Sequence, residues 1–333
     1  MGAIVIVDAF WGDAGKGKFS AYLSRLHNAA LCVRAGVGPN AGHSIRVDGQ
    51  WIRNRLVPLG FTNPSTKLAI GAGVAVDPVL LQQEVRQTRT DRRLVVDYRC
   101  PVIEPRHIAR ERRDPVMKAI DSTKTGSGAA RADYVMRRGR RACDVPELRP
   151  YCRDVAMLCN QAALKGTVVV EGSQATYLSL YLSNRYPFTS SDNCTTAAFV
   201  DDVGLNWRLV DRVVLLVKCL PTAVGNGPLP HEMPAEEIAR KGLQEFGTNT
   251  GRPRRRSRRL DFSLLRYSVM LNGPTEIALT WCDQFDRRIE GATKKRHITK
   301  KIGGLIERVE KVCGVPVRFL ETGKDFDNII ALY

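Results

Sequence analysis

The chain has 333 residues, 44% of them hydrophobic and 26% charged, which is enough to bury a sizeable core and is neither fibrous nor disordered. Lysine and arginine, 51 together, outnumber 34 acidic residues for a net charge of +17, which draws polyanions without choosing among nucleic acid, nucleotides and acidic small molecules. No run reaches the roughly 18–20 apolar residues of a membrane span, the start lacks the basic region of a signal peptide, and nine cysteines without a C-x-x-C pair suit neither a disulfide framework nor a structural zinc site, so a soluble cytosolic protein with reduced thiols is expected.

The first element, Ala3-Ile4-Val5-Ile6-Val7, is a continuous apolar run, the mark of a strand buried on both faces. A glycine-rich loop follows, then Phe19-Ser20-Ala21-Tyr22-Leu23-Ser24-Arg25-Leu26 with helical apolar spacing, then a second buried run, Ala29-Ala30-Leu31-Cys32-Val33. Strand, loop, helix and strand open a βαβ unit. Short apolar runs recur at Leu68-Ala69-Ile70, Leu94-Val95-Val96, Val168-Val169-Val170, Val213-Val214-Leu215-Leu216-Val217 and Ile277-Ala278-Leu279, with helix-like stretches between several of them. This predicts an α/β protein with a mostly parallel central sheet flanked by helices. From Leu305 to Cys313 the apolar spacing gives one buried helix face ended by Gly314, and Val315-Pro316-Val317-Arg318-Phe319-Leu320 reads as a last strand. No repeat or linker divides the chain, so residues 1–333 read as a single domain.

Trp11-Gly12-Asp13-Ala14-Gly15-Lys16-Gly17-Lys18-Phe19 lies between the first strand and the first helix, where a phosphate-binding loop belongs. Glycines let backbone N–H groups converge on an anion, the helix N-terminus adds partial positive charge, and a lysine reaches the outer phosphates. Gly12 to Lys18 nearly satisfies G-x-x-x-x-G-K-[ST], but Phe19 offers no hydroxyl to Mg2+. Asp13 is the natural candidate in its place, because a carboxylate among phosphate-binding amides needs a cation or a proton beside it. The run Arg252-Pro253-Arg254-Arg255-Arg256-Ser257-Arg258-Arg259 has three readings on charge alone: a solvated loop, a nucleic-acid patch or an anion site.

Two motifs in order make a specific resemblance. Gly12-Asp13-Ala14-Gly15-Lys16-Gly17-Lys18 followed by Asn40-Ala41-Gly42-His43-Ser44 resembles the Gly-Asp-Glu-Gly-Lys-Gly-Lys and Asn-Ala-Gly-His-Thr motifs of adenylosuccinate synthetases. The likeness continues through Thr123, Thr125-Gly126-Ser127-Gly128, Arg137 and Glu171-Gly172-Ser173-Gln174. It extends to Tyr186-Pro187-Phe188-Thr189-Ser190-Ser191, Val224-Gly225-Asn226-Gly227-Pro228 and the segment from Phe246 to Arg255. The length is similar to that of the shorter archaeal and phage members. The resemblance implies a P-loop-like nucleotide-binding fold of that family's type, a homodimer, and a carbon–nitrogen ligase that uses a nucleoside triphosphate to join L-aspartate to C6 of a purine nucleoside monophosphate.

The same resemblance implies two steps. The N1–H proton leaves and the 6-oxyanion attacks the γ-phosphate; the aspartate amine then displaces the 6-phosphoryl group, with charge neutralisation needed in both. Asp13 is implied as the base at N1 and, with Gly42, as a Mg2+ ligand; His43 as general acid toward the moving phosphoryl group; Gln174 as the hydrogen-bonding partner of the purine edge near O6. The triphosphate is expected on Gly12, Ala14, Gly15, Lys16, Gly17, Lys18, Gly42, His43, Ser44, Arg254, Trp281, Cys282, Asp283, Thr322 and Gly323. The monophosphate is expected on Asp13, Asn40, Ala41, Thr123, Gln174, Thr189, Val224 and Arg252, and on Arg137 crossing the dimer interface. Aspartate is expected on Gly247, Thr248, Asn249, Thr250, Gly251 and Arg252, which makes the arginine run an anion site rather than a nucleic-acid patch.

Two departures from the family pattern touch the bases. Ala14 stands where the family has glutamate, a loss of bulk and charge that would leave room for the 2-amino group of guanine. Trp281, in Thr280-Trp281-Cys282-Asp283, stands where Thr-Lys-Leu-Asp reads the guanine of GTP, and an indole stacks on a base without choosing it by hydrogen bonds. Together they resemble the phage 2-aminoadenylosuccinate synthetases and point to dGMP as substrate, ATP or dATP as donor, and host cytoplasm as the setting. The alternative is an adenylosuccinate synthetase acting on IMP with GTP, which the retained Asp13 favours. A nucleic-acid-binding P-loop protein and a catalytically silent relative are the competing classes.

Overall fold

The computed structural model describes residues 1–247 and 251–333. Its strands are β1 (Gly2–Asp8), β2 (Leu31–Arg34), β3 (His43–Val47), β4 (Gln50–Asn54), β5 (Lys67–Ile70), β6 (Leu94–Asp97), β7 (Cys152–Arg153), β8 (Thr167–Glu171), β9 (Val210–Lys218), β10 (Thr222–Ala223), β11 (Arg255–Arg256), β12 (Glu276–Thr280), β13 (Val317–Glu321) and β14 (Ile329–Ala331). Ten of them form one sheet in the order β14-β13-β12-β9-β1-β8-β2-β5-β6-β7. Every neighbouring pair in it is parallel except β13 with β14. This is the expected α/β architecture, a large and mostly parallel sheet with helices packed against it.

The apolar runs become central strands because each supplies two cores at once. In β1, Ala3, Val5 and Val7 enter one hydrophobic cluster, while Ile4 and Ile6 enter the cluster on the opposite face. β9 repeats the division, with Val213, Leu215 and Val217 on one side and Val214 and Leu216 on the other. Alternate side chains of a strand point to opposite faces, so a strand covered on both sides must be apolar throughout. The first helix, α1 (Lys16–Leu26), begins three residues before the predicted apolar run because the preceding loop, not the helix face, sets its start. The helix Lys300–Cys313 buries Ile302, Leu305, Val309 and Cys313, is capped by Thr299 and stops at Gly314, whose φ of 70° is left-handed. No helix among the described residues is long and apolar enough to cross a membrane.

The parallel strands aim their carboxyl ends at one place. Asp8 ends β1, Arg34 ends β2, Glu171 ends β8, Lys218 ends β9, Thr280 ends β12 and Glu321 ends β13. In open α/β sheets ligands bind beyond those ends. All six of these polar residues are buried, and five of them have hydrogen-bond partners for their side chains, the exception among the described residues being the Thr280 hydroxyl.

One buried carboxylate has a measurable consequence for stability. Asp202 accepts a hydrogen bond of 2.8 Å from the Gly36 amide, and burial, reinforced by Asp192, pushes its pKa up to about 7 against the pull of Arg131. The folded state therefore binds more protons than the unfolded chain between about pH 4 and that value, so this group's contribution to stability declines as pH rises through the window. Melting temperatures of the wild type and Asp202→Asn, taken from acid to mild alkali, should diverge in favour of the variant as pH increases. A difference that stays constant with pH would refute the assignment.

Candidate active site

Asp8 closes the glycine-rich loop from below. Its Oδ1 accepts from the Phe10 amide at 3.0 Å, and its Oδ2 accepts from the Ala14 amide and Lys16 Nζ, each at 3.2 Å. Between these anchors Gly12, Asp13 and Gly15 have φ of 102°, 54° and 87°, so the backbone doubles back and presents Asp13 at its crest. Gly17 is required by a neighbour: a Cβ there would come within 2.7 Å of His43 Cβ and 2.6 Å of Leu59 Cδ1, so the glycine lets His43 lie against the start of α1. Lys18 turns to the other side, donating to the Gly323 carbonyl at 2.8 Å. Trp281 secures the crest, because its indole N–H donates to the Asp13 carbonyl at 3.1 Å while its amide donates to Glu321 Oε2 at 2.8 Å.

His43 belongs to a buried charged triad. Glu171 Oε1 lies 2.7 Å from His43 Nδ1 and 2.6 Å from Arg34 Nη1, and Glu171 Oε2 accepts from the Leu59 amide at 2.7 Å. Burial and the adjacent Arg34 guanidinium push the imidazole pKa down to about 4, against the opposing pull of Glu171. Burial alone would raise Glu171, but His43 and Arg34 outweigh it and hold the carboxyl at about 2. The ring is thus held neutral at physiological pH by its protein neighbours, so the general-acid role expected of it needs a negatively charged ligand beside it.

Asp13 faces a second cluster. Its carboxylate pairs with Arg254, whose Nε donates to Thr222 Oγ1 at 3.0 Å. Glu245 bridges Lys218, at 2.7 Å, and Arg256, at 2.8 Å, and Lys218 Nζ stands 4.3 Å from the centre of the Trp281 ring. Burial would raise the Asp13 pKa, but Arg254, Lys218, Lys16 and His43 together hold it below the ordinary value. Burial lowers Lys218 to about 8 despite Glu245.

Two cavities meet at these groups. The first is lined by Gly12, Asp13, Lys16, Asn40, Ala41, Gly42, His43, Thr123, Gln174, Thr189, Val224, Gly247 and Arg254, with Trp11, Leu178, Arg185 and Phe188 among others. The second is lined by Asp13, Gly15, Lys16, Gly17, Lys18, Gly42, His43, Ser44, Gly247, Gly251, Trp281, Asp283 and Gly323, with Trp51, Arg53 and Lys324 among others. Asp13, Lys16, Gly42, His43 and Gly247 border both, so the carboxylate and the imidazole share their cavities as the expected chemistry requires.

Several expected residues lie elsewhere. Gly12 and Arg254, expected on the triphosphate, line the first cavity instead. Ala14, Cys282 and Thr322 are fully buried and line neither cavity: Ala14 packs with Ile4, Ile6 and Phe19, and the Thr322 hydroxyl donates to the Ala292 carbonyl at 2.6 Å. The room argued for guanine from Ala14 is therefore not in the first cavity, because backbone direction turns that methyl into the core. Arg252 pairs with Asp121 at the border of the first cavity without lining it. Arg137 is exposed, beside exposed Val135 and Met136. Thr248, Asn249 and Thr250 lie outside the described residues. Arg185, Lys218 and Glu245 were not expected at all, although Lys218 follows an apolar strand run directly, where a site residue could have been sought.

The comparisons with known proteins agree with this geometry. A family model described as adenylosuccinate synthetase matches residues 5–148 and 145–288. The adenylosuccinate synthetase of Archaeoglobus fulgidus is 44% identical over 100% of this chain and 98% of its own, and that of Methanocaldococcus jannaschii is 41% identical over 98% and 96%. Among solved structures, the fully ligated adenylosuccinate synthetase of Plasmodium falciparum superposes with a TM-score of 0.92 at 21% identity, covering 100% of both chains, a likeness of fold. The cyanophage S-2L succinoaminodeoxyadenylate synthetase bound to dGMP and dATP superposes with a TM-score of 0.81 at 25% identity, over 99% of this chain and 95% of that one. With a full-length match at this identity and a phosphate loop, carboxylate and imidazole in shared cavities, the chain belongs to the adenylosuccinate synthetase family, the carbon–nitrogen ligases that join aspartate to a purine nucleotide.

Proposed function

We propose that the first cavity receives a purine nucleoside monophosphate and aspartate, the second a nucleoside triphosphate, and that phosphoryl transfer crosses the border between them. The observation that carries this reading is the shared border itself, with Asp13, Lys16 and His43 on both sides. Asp13, ionised and held by Arg254, takes the N1 proton once that guanidinium moves onto the incoming aspartate carboxylate, since losing a cationic neighbour raises the basicity of a carboxylate. Glu171 Oε1, 2.7 Å from His43 Nδ1, stabilises the imidazolium that the triphosphate's negative charge draws in, against the Arg34 guanidinium 2.6 Å from the same nitrogen. The Asp13 carboxylate and the Gly42 backbone beside phosphate oxygens form a donor set that suits Mg2+, which when bound would neutralise phosphate charge.

The monophosphate we assign is dGMP and the donor ATP or dATP. Likeness to the cyanophage enzyme solved with dGMP and dATP supports this. Trp281 stands where the family pattern has lysine and, with its indole N–H committed to the Asp13 carbonyl, offers the second cavity a ring face rather than a base-selective hydrogen bond, which removes one reason to require GTP. Ala14 lends no support. IMP with GTP is the second reading, favoured by archaeal relatives at 41–44% identity that carry the plain family name. Steady-state kinetics with dGMP, GMP and IMP, each against ATP, dATP and GTP, should give the highest kcat/KM for dGMP with an adenine nucleotide; a clear preference for IMP rejects dGMP. The exposed Arg137 is proposed to cross a homodimer interface to the neighbouring monophosphate, and a monomer in sedimentation at working concentration would remove that role.

A further inference from the structure

Arg185 is buried, with 6% of its surface exposed, yet no carboxylate pairs with it and its Nε meets no acceptor among the described residues. A buried guanidinium without an acceptor is costly, and native structures keep such a group mainly where a ligand completes it. Arg185 lines the first cavity. Its guanidinium carbon lies 5.4 Å from the centre of the Trp11 ring, within cation–π range. A Cβ at Gly227 would come within 2.6 Å of Arg185 Nη2 and 2.7 Å of Phe188 Cβ, so the glycine makes the space in which the guanidinium lies. Two further buried polar atoms of the same lining lack partners: Trp11 Nε1, a donor, and Asn40 Oδ1, an acceptor. Burial, together with the neighbouring Arg255, also pushes the Arg185 pKa down to about 10, which still leaves it cationic.

We infer that Arg185 is a substrate-positioning residue whose guanidinium, beside Trp11, donates to an acceptor on the nucleoside part of the monophosphate. The flat apolar surroundings, Trp11 and Phe188, fit a base or sugar better than a phosphate, and the hydroxyls of Ser122, Thr123 and Ser190 supply phosphate donors elsewhere in the lining. The inference rests on the first cavity being the monophosphate site. The test is aspartate-dependent phosphate release by the full-length wild type, Arg185→Gln and Arg185→Lys, with separate KM values for monophosphate, triphosphate and aspartate, and with 2′-deoxyguanosine and inosine as competitive ligands lacking the phosphate. Arg185→Gln should raise the KM for the monophosphate by about tenfold or more, as expected for losing a charged hydrogen bond, and weaken the nucleosides by a similar factor. The other two KM values should stay within about twofold, and Arg185→Lys, which keeps the charge but not the planar fork, should fall between. An unchanged monophosphate KM, or three KM values moving together with the melting temperature, overturns the inference. Nucleosides that bind wild type and variant alike move the contact to the phosphate and overturn it as well. A wild type that neither binds monophosphate nor releases phosphate with aspartate defeats the reading of the cavity itself. Should Arg185→Gln not fold, the lysine variant carries the same comparison.

Discussion

Asp13→Asn should lower kcat for aspartate-dependent phosphate release by on the order of 10²–10⁴-fold, the range of a positioned proton acceptor, while the protein still folds and binds nucleotide. The substitution keeps shape and hydrogen-bonding capacity but removes the carboxylate proposed to accept the N1 proton. It also removes one of the two carboxylates paired with Arg254, leaving Glu245 at 3.5 Å, and leaves Lys218 and Lys16 with less negative charge nearby. The KM for the triphosphate should rise less than kcat falls, because Lys16, Lys18 and the glycine backbone remain on the second cavity. The decisive measurement is turnover at saturating monophosphate and triphosphate with and without aspartate. Activity within about tenfold of wild type would take Asp13 out of the chemistry.

Glu171→Ala should be the most destabilising single change at the site. It leaves the Arg34 guanidinium buried without its counter-ion and the Leu59 amide without its acceptor, a loss of about 3–5 kcal/mol for breaking one side of a buried pair. The sign of its pH dependence follows from the Glu171 carboxyl being held at about 2 in the folded state. A depressed carboxyl stabilises above its unfolded pKa and loses that contribution as pH falls toward the folded value, so the gap between wild type and variant should be widest near neutrality and narrow as pH drops below about 5. Thermal unfolding across that range tests it. Removing Glu171 also removes a group that raises the His43 pKa, so the imidazole would be harder still to protonate and kcat should fall in whatever fraction survives.

Much of the architecture could be read from residue order because each strand carries its own account of burial. The runs at 3–7, 168–170 and 213–217 are apolar at every position, and in the fold all three stand side by side at the centre of the sheet. The edges were harder. β7 and β14 span only two and three residues, too few for any period to show. The β3–β4 hairpin does carry a local signal, Asp48-Gly49 between two alternating segments, and both residues have positive φ in its turn. Strand order was also hidden, since β8 lies between β1 and β2 although more than a hundred residues separate it from either.

The local order of residues determined the phosphate loop, the motif carrying His43 and the strands that hold them, because glycine geometry, helix starts and apolar runs are written within a few neighbouring positions. Which way a side chain faces, and which distant charge it meets, was decided only by tertiary packing. Ala14 turns into the core rather than toward a base, Arg254 crosses from a remote loop to Asp13, and Arg185 is left in a cavity without an acceptor. Coulomb attraction and burial act through space, and the chain brings those partners together only after the sheet has aligned its strand ends.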